Sequence, residues 1–281
     1  MPGTLFLVAT PIGNLDDMSF RAVQTLREVD RIACEDTRQT RKLLEKFQIT
    51  TPLVSFHEHN EKERAPKFAE QLLAGQSIAL VSDAGTPLVS DPGFRLVEAA
   101  ISAGIGVVPI PGPSAVLAAL TASGLASHAF RFAGFLSAKR TQRRKELERH
   151  PSDEATAIFF EAPHRILETL EDIEEILGPA TPVVVARELT KLHEEFLRGT
   201  VAEVRAELAD RPAVKGEITL LVGKNTKQSQ SVAEADLAAE LKQLLSQGLT
   251  RMEALKALAR RHGLPKRELY KRLEGLGDSA P

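Results

Sequence analysis

The strongest constraint on the fold is a regular alternation of short apolar runs with amphipathic stretches in the first half of the chain. The apolar runs predict strands at 4–9, 31–35, 52–56, 77–81 and 106–110. The stretches between them predict helices at 19–30, 37–47, 60–74 and 92–103. Because the runs are apolar at successive positions, both faces of these strands are expected to be buried. The pattern predicts a parallel sheet covered by helices on both sides.

A segment rich in proline and glycine, 109–113, separates this pattern from a second one and suits a domain junction. The second pattern predicts strands at 130–134, 156–161, 182–186 and 217–222, with helices at 114–123 and 163–177. Thr200 opens a further helix, because Thr200 and Glu203 have capping-box spacing. A polar linker at 224–231 precedes helical patterns at 233–246, 251–262 and 265–273. The predicted organisation is two α/β domains, 1–113 and 114–223, and a helical tail, 224–281.

Composition excludes several classes of protein. The chain carries 36 Lys and Arg against 38 Asp and Glu, a net charge of −2, so it is not basic throughout. Its one cysteine, Cys34, excludes an internal disulfide and fits a reducing compartment. No apolar run reaches the roughly 18 residues of a membrane span, and a signal peptide is not evident, so we expect a soluble cytoplasmic protein. Trp is absent and Tyr occurs once, which disfavours recognition by stacked aromatic rings.

The loop at 82–93 is the clearest candidate for ligand binding. It leaves the carboxyl end of a predicted strand, where open α/β sheets bind ligands, and its twelve residues exceed the usual connection of about four to six. Asp83 and Asp91 offer acceptors for ribose hydroxyls or an amino group. Loops at 10–17 and 109–115 leave neighbouring strands on the same edge, and there Ser114 either binds a ligand or caps the next helix. Convergence of the three loops predicts a ligand site.

Other common sites are excluded by their missing motifs. The chain has no P-loop and no G-x-G-x-x-G after its first strand. The segment 112–116 lacks the second glycine of a nucleophile elbow. His57 and His59 flank Glu58, but no third ligand is evident, so we expect no metal and interpret the segment as a polar loop or a substrate contact.

Basic residues concentrate in two places. The stretch 137–151 has six cations against two acids, and 251–272 has eight against two. Apolar positions on both sides of Gly263 favour a helix-turn-helix there. Solvated helix faces are the alternative, but two such regions in a chain of net charge −2 predict contact with a polyanion. The residues expected to contact it are Arg38, Arg140, Arg143, Arg144, Arg260, Lys266 and Arg267.

Eight segments carry a resemblance to a known family. In chain order they are VATPIGNLDD, ACEDTRQTRKLL, SFHEHNE, LVSDAGTPLVSDPG, PIPGPSA, FFEAPHR, ARELTKLHEE and KGEITLLV. From 5 to about 222 the chain resembles the bacterial 16S rRNA (cytidine-2′-O) methyltransferases, a branch of the tetrapyrrole-methylase superfamily. The resemblance implies two α/β domains of the tetrapyrrole-methylase type, with S-adenosylmethionine in the cleft between them, and a homodimer. Its substrate would be 16S rRNA or the small ribosomal subunit.

The resemblance also implies which residues contact the cofactor. By matching motif positions they are Ile12, Asp83, Thr86, Ser114, Ala115, Phe160, Leu189 and Glu217. Phe56 stands where relatives often carry tyrosine, so a hydroxyl has no role there.

A ribose hydroxyl is a poor nucleophile, so a nearby proton acceptor is expected to assist its attack. Asp36 and His59 are the candidates, with Lys191 lowering the pKa of the acceptor. A structural ion pair between Asp36 and Arg38 is the alternative for those two residues. Two other functions stay open at this point: methylation of a small tetrapyrrole, and nucleic-acid binding without catalysis.

Overall fold

The computed structural model describes residues 1–148, 155–224 and 234–262, together with Leu269 and Leu273. The first sheet contains β1 (Thr4–Val8), β2 (Arg31–Cys34), β3 (Leu53–Ser55), β4 (Ile78–Val81) and β5 (Gly106–Ile110). Its strand order is β3-β2-β4-β1-β5, and every pair is parallel. The prediction of a parallel sheet in the first half of the chain is therefore confirmed.

Four helices connect these strands: α1 (Phe20–Glu28), α2 (Thr37–Lys46), α3 (Glu58–Leu73) and α4 (Phe94–Ser102). One face of the sheet buries Leu26 and Leu44, and the other buries Phe68 and Leu96. Helices therefore cover both faces. Burial on both faces explains why the strand segments are apolar at successive positions rather than alternating.

The second sheet contains β6 (Phe130–Phe135), β7 (Thr156–Glu161), β8 (Pro182–Arg187), β9 (Glu195–Thr200) and β10 (Ile218–Val222). Its order is β6-β7-β10-β8-β9, and only β6 and β7 run parallel. Its helices are α5 (Ala115–Ser123), α6 (Arg140–Glu148), α7 (Ile166–Leu177) and α8 (Val201–Ala209). α5 contacts β8 and β10, whereas α6, α7 and α8 contact one another in sequence.

Two elements of this half were not predicted. Strand β9 was missed because it lies at the edge of the sheet, where only Leu197 is buried. An edge strand needs few apolar residues, so its sequence lacks the apolar run that predicts a strand. Helix α6 lies in the stretch predicted only as basic. The capping box is confirmed, since the Thr200 backbone N–H donates to the Glu203 carboxylate at 2.8 Å and Glu203 N–H donates to the Thr200 hydroxyl at 3.3 Å.

Near the C-terminus, α9 (Glu234–Ser246) and α10 (Arg251–His262) share a small apolar cluster with Leu269 and Leu273. Residues 225–231 of the predicted linker and most of the pattern at 265–273 lie outside the described residues. We propose the divisions 1–113, 114–223 and 224–281 as domain boundaries, because 113 falls between β5 and α5. Among the described helices, none combines the length and apolar character that a bilayer crossing requires.

Candidate active site

Three loops that follow strands of the first sheet are bonded to one another. Thr10, after β1, and Gly85, after β4, form an antiparallel bridge with N–O distances of 2.9 and 3.0 Å. The Thr10 hydroxyl donates to the Ser82 carbonyl at 3.1 Å. The Thr86 hydroxyl donates at 3.2 Å to the carbonyl of Pro113, which follows β5. The predicted convergence of these loops is therefore confirmed.

These loops form one wall of a cavity of about 390 Å³, and segments of the second sheet form the other. This volume lies within the roughly 300–1,000 Å³ typical of cofactor sites. Seven of the eight residues implied to contact a cofactor line it: Ile12, Thr86, Ser114, Ala115, Phe160, Leu189 and Glu217. Ser114 also caps α5, because its hydroxyl accepts from the Leu117 N–H at 3.4 Å.

Asp83, the eighth implied residue, does not line this cavity. Its side chain is exposed and accepts a hydrogen bond from the Asp36 backbone N–H at 3.1 Å. The carboxylate of the same loop that does line the cavity is Asp91. Two residues just before it, Leu88 and Ser90, have φ values of 72° and 68°. This uncommon backbone conformation for non-glycine residues decides which side chains of the loop face the cavity.

Several lining residues were not named individually from the sequence, although four of them belong to the loop 82–93 that was predicted to bind a ligand. They are Ala84, Gly85, Val89, Ser90, Val116, Phe135, Glu161, Ala162, Pro163, Gly216, Ile218 and Thr219. Strand-end position could have found Glu161 and Gly216, since one closes β7 and the other precedes β10. Phe135 had no sequence signal, because it is one of 12 phenylalanines and lies on a short strand.

The loop after β1 and the loop after β8 are in contact beside the cavity, at Gly13. The Asn14 N–H donates to the Thr190 hydroxyl at 3.0 Å. A Cβ atom at Gly13 would lie 2.5 Å from Cγ of Lys191 and 2.8 Å from the Thr190 hydroxyl oxygen. Glycine is needed here because any side chain would push the two loops apart.

Lys191, predicted to lower the pKa of an acceptor, is held by two carboxylates. Its Nζ lies 2.9 Å from Glu188 and 3.1 Å from Glu217. Burial alone would lower the pKa of Lys191, but the hydrogen bonds to Glu188 and Glu217 outweigh it and leave that pKa raised. Lys191 therefore stays protonated at neutral pH, and its charge is balanced locally.

Asp36, a candidate proton acceptor, is engaged by Arg38. The guanidinium donates to both carboxylate oxygens, at 3.1 and 2.8 Å, and the Arg38 backbone N–H donates at 2.8 Å. These hydrogen bonds lower the pKa of Asp36 to about 2. An acid with so low a pKa is a weak proton acceptor at neutral pH. The geometry favours the structural alternative, the ion pair between Asp36 and Arg38, and Asp36 also caps α2.

Asp91 has the opposite environment. Burial, followed by the negative charge of Glu35, raises its pKa to about 6; a hydrogen bond with Ser82 lowers it by less, and the charge of Asp83 raises it further. Burial and the charge of Asp83 likewise raise the pKa of Glu35. In the described part of the chain, Asp91 forms no ion pair.

The histidine segment begins α3. His59 is exposed, and its ring centroid lies 5.8 Å from that of His57. The His57 N–H donates to the Asn60 side chain at 3.0 Å, so Asn60 orders the first turn of the helix. His59 is not among the residues that line the cavity. Within the described ranges, no group of three potential metal ligands occurs.

The three arginines of α6 are paired with acidic residues of α7. Arg140, Arg143 and Arg144 donate to the Asp172 carboxylate at 2.9, 2.7 and 3.1 Å. Glu175 is a further partner of Arg144. The expectation that Arg143 contacts a polyanion is corrected, because its side chain is only 1% exposed. The Arg260 side chain and all of Lys266 and Arg267 lie outside the described residues.

Two α/β domains with a cofactor-sized cavity between them are typical of an enzyme that binds a small-molecule substrate or cofactor. Residues 4–205 match the family Tetrapyrrole (Corrin/Porphyrin) Methylases. The chain therefore belongs to this family of methyltransferases.

Relatives named ribosomal RNA small subunit methyltransferase I match nearly the whole chain. The protein from Synechocystis sp. is 51% identical over 269 residues, 95% of this chain and 96% of the relative. The protein from Bacillus subtilis is 48% identical over 273 residues, 95% of this chain and 93% of the relative.

Solved structures share the fold at low sequence identity. Uroporphyrin-III C-methyltransferase from Thermus thermophilus, complexed with S-adenosyl homocysteine, has a TM-score of 0.53 at 19% identity. The superposed region covers 78% of this chain and 97% of the Thermus thermophilus protein. A diphthine synthase has a TM-score of 0.58 at 15% identity. The superposed region covers 79% of this chain and 90% of the diphthine synthase.

Proposed function

We propose that this protein uses S-adenosylmethionine to methylate the ribose 2′-hydroxyl of a cytidine in the decoding centre of 16S rRNA. The observation that carries the proposal is the match over about 95% of the chain to relatives named as small-subunit rRNA methyltransferases. The tetrapyrrole-methylase match ends at 205, so the relatives share a further C-terminal part with this chain. This favours rRNA over a small tetrapyrrole, and the cavity favours an enzyme over a binding module. The choice of the 2′-hydroxyl as the methylated group, and of cytidine as the nucleotide, rests on the motif resemblance.

The residues around the cavity fit such a cofactor. Asp91, Glu161 and Glu217 line it, and no lysine or arginine is found among its described lining residues. An excess of carboxylates suits a cationic ligand. Ile12, Phe160 and Leu189 add an apolar wall on which a flat purine ring can pack. S-adenosylmethionine, when bound, supplies a methyl group on a positively charged sulfur.

Transfer to a hydroxyl requires an oxygen held in line and a group that takes its proton. Two of the three cavity carboxylates are already engaged. Glu161 is buried and bonded to Arg165 and Thr169 at 2.6 and 2.7 Å, and Glu217 is paired with Lys191. Asp91 is the carboxylate that lacks a cationic partner in the described structure. We therefore propose Asp91 as the proton acceptor.

The backbone around Asp91 is well anchored for this role. Glu61, a buried residue of α3, accepts from the Gly93 N–H at 3.1 Å and from the Arg95 N–H at 2.9 Å. These bonds satisfy the first turn of α4, whose cap residue Gly93 has no side chain. The loop that carries Asp91 is thereby fixed to two helices.

The acceptor assignment is tested by Asp91→Asn. Because the pKa of Asp91 is raised to about 6, kcat/KM should rise tenfold per pH unit below about 6 and level off above it. Asp91→Asn should lower turnover by about 10²–10⁴-fold and change the cofactor affinity, measured by calorimetry, by a far smaller factor. Asp83→Asn is the matched control: it should retain turnover and move the pH limb slightly lower, since the charge of Asp83 raises the pKa of Asp91. Full activity of Asp91→Asn would exclude this acceptor.

We propose α2 as the first contact for the RNA backbone. Arg38, Arg41 and Lys42 are exposed on this helix, and Arg41 has no acidic partner among the described residues. The helix begins beside the cavity loop, where the Asp36 N–H bonds to Asp83. Phosphate contacts of this kind position the substrate and give most of its salt-dependent affinity. Arg260, Lys266 and Arg267 remain candidates for further RNA contacts in the tail.

A homodimer in the cytoplasm completes the proposal. Phe94 and Ile101 on α4 are 69% and 63% exposed, and Val108 lies on the edge strand β5. Apolar side chains beside an unpaired strand edge are typical of an association surface. Cys34 is buried and unpaired, as expected in a reducing compartment. Ile101→Lys should convert the dimer to monomer in light scattering, and an unchanged mass would exclude this interface.

The function itself is tested with the full chain and labelled S-adenosylmethionine. Small subunits from cells that lack this protein should accept one methyl group, which mass mapping locates on a cytidine ribose. Porphyrinoid substrates should accept none. Methylation of a porphyrinoid, or failure to bind S-adenosylmethionine in calorimetry, would contradict the proposal.

A further inference from the structure

Phe135 is a large apolar side chain that remains open to solvent at the cavity. It is 59% exposed, yet it lines the cavity. It lies at the end of β6, one of the two edge strands of the second sheet. An aromatic ring that lines a ligand cavity and stays exposed is available to pack against a bound molecule.

A bulge in β6 places Phe135 at the cavity. Phe132 pairs with Ile158 and Phe135 pairs with Phe160, so two β6 residues oppose one β7 residue between these pairs. Without the extra residue, Phe132 and Phe135 would point to opposite faces of the sheet. The bulge puts both rings on the face of Phe160. Gly134, within the bulge, has a φ of 68°, a conformation that glycine adopts at little cost.

Neighbouring rings hold Phe135 in a defined orientation. Its centroid lies 5.6 Å from that of Phe160 at an interplanar angle of 60°. Phe160 in turn contacts Phe132 at 4.8 Å and 63°. Edge-to-face contacts of this kind fix a ring without covering it completely. The outermost ring of this row is therefore preorganised and still available.

The loop 82–93 connects this ring to the proposed backbone contact. At one end of the loop, Asp83 bonds to the start of α2. Further along, Ser90 approaches Gly134: a Cβ atom there would lie 3.4 Å from the Ser90 hydroxyl oxygen. The loop therefore runs from α2, the proposed backbone contact, past the cavity to the end of β6 that carries Phe135.

We propose that Phe135 stacks on the base of the nucleotide that is methylated and so positions its ribose. This inference rests on the proposed function. Single nucleotides of RNA are commonly held by aromatic side chains, and stacking on one ring changes affinity by about 5- to 150-fold. The base and the 2′-hydroxyl belong to the same nucleoside, so fixing the base also restricts the direction of the hydroxyl. The scarcity of Trp and Tyr does not prevent this contact, because a phenylalanine provides it.

Substitutions of Phe135 test the stacking contact in the full-length protein. Phe135→Ala should weaken binding of the small subunit and lower kcat/KM by about 5- to 150-fold. Phe135→Tyr should retain both, whereas Phe135→Leu should recover little, because it restores apolar area without a ring. Phe130→Ala is the matched control, since Phe130 lies on the same strand, is 44% exposed and does not line the cavity.

Two binding measurements separate this contact from a structural role. A fluorescent cytosine analogue at the target position of an rRNA fragment should be quenched by the wild type and Phe135→Tyr, and not by Phe135→Ala or Phe135→Leu. The affinity for S-adenosylmethionine, measured by calorimetry, should be the same in all variants. Equal RNA binding by Phe135→Ala, an equal loss in Phe130→Ala, or a selective loss of cofactor affinity would overturn the inference.

Oligomeric state provides the last control. A change of mass in Phe135→Ala would assign the ring to contact between two copies and overturn the inference. If the wild type methylates the subunit and Phe135→Ala does so equally well, only the inference fails. If the wild type neither binds nor methylates the subunit, the proposed function fails and the inference fails with it.

Discussion

Helices α2 and α6 have similar basic sequences and opposite electrostatic surroundings. α2 carries four cations and one acid, and α6 carries four cations and two acids. Three of the four cations of α6, Arg140, Arg143 and Arg144, meet acidic side chains of α7, above all Asp172, whose side chain is fully buried. On α2, Arg41 and Lys42 are exposed without an acidic partner among the described residues. A basic run indicates a polyanion site only where the fold leaves its charge unpaired.

The largest effect is expected from Asp172→Ala. Burial raises the pKa of Asp172, but hydrogen bonds from Arg140, Arg143 and Arg144 outweigh it, so the residue is ionised at neutral pH. Its removal leaves the buried Arg143 without its closest carboxylate, at 2.7 Å. Loss of one partner of a buried pair typically costs about 3–5 kcal/mol. Urea unfolding at pH 7 should show this loss.

Glu175→Ala is the control for that measurement, because Glu175 lies at the half-exposed end of the same network. Its effect should stay below about 1 kcal/mol. If Asp172→Ala changes the free energy of unfolding as little as Glu175→Ala, then α6 and α7 are not joined by a buried pair.

The next largest effect is expected from Arg41→Ala and Lys42→Ala on α2. Each should weaken binding of the small subunit about fivefold at 0.15 M salt. Each should also make the fall of log K with log salt concentration less steep, by about 1 unit of slope. Both side chains are exposed, so the free energy of unfolding should not change. Filter binding over a salt series measures both quantities.

Arg144→Ala makes the comparison direct. Its guanidinium is bonded to Asp172 and Glu175, so its charge is already neutralised. RNA affinity should change less than twofold, far below the effect of Arg41→Ala. A larger loss for Arg144→Ala than for Arg41→Ala would reverse the proposed roles of α6 and α2.

The smallest effect concerns the acid dependence of α2. Hydrogen bonds from Arg38 lower the pKa of Asp36 to about 2, below its unfolded value of about 4. The folded state is therefore favoured above pH 4, and this contribution is lost as the pH falls from 4 to 2. Asp36→Asn should remove that part of the acid dependence in thermal unfolding. An unchanged acid limb would show that the pair contributes nothing to stability.

Much of the site could be predicted from the ends of strands. Ile12, Thr86 and Ser114 follow β1, β4 and β5, and parallel strands end at one edge, so their loops had to meet. The choice between Asp83 and Asp91 could not be predicted. It depends on positive φ values at Leu88 and Ser90, and neither is a glycine that would signal them.

The sequence also lacked any signal for contacts made across long separations. The three arginines of α6 share Asp172, 29 residues after Arg143, as their partner. The bulge that brings Phe135 to the cavity appears only when β6 is paired with β7. Both features depend on which segments the fold brings together.

Local patterns alone therefore determined the alternation of strands and helices, the parallel first sheet and the edge at which the loops meet. They did so because hydrophobic periodicity and turn residues act over a few positions. The tertiary structure decided which carboxylate faces the cavity, which arginines stay free and which ring remains open. These outcomes depend on burial and on charges that are far apart in the sequence but close in the fold. Neither can be deduced from a single segment of the chain.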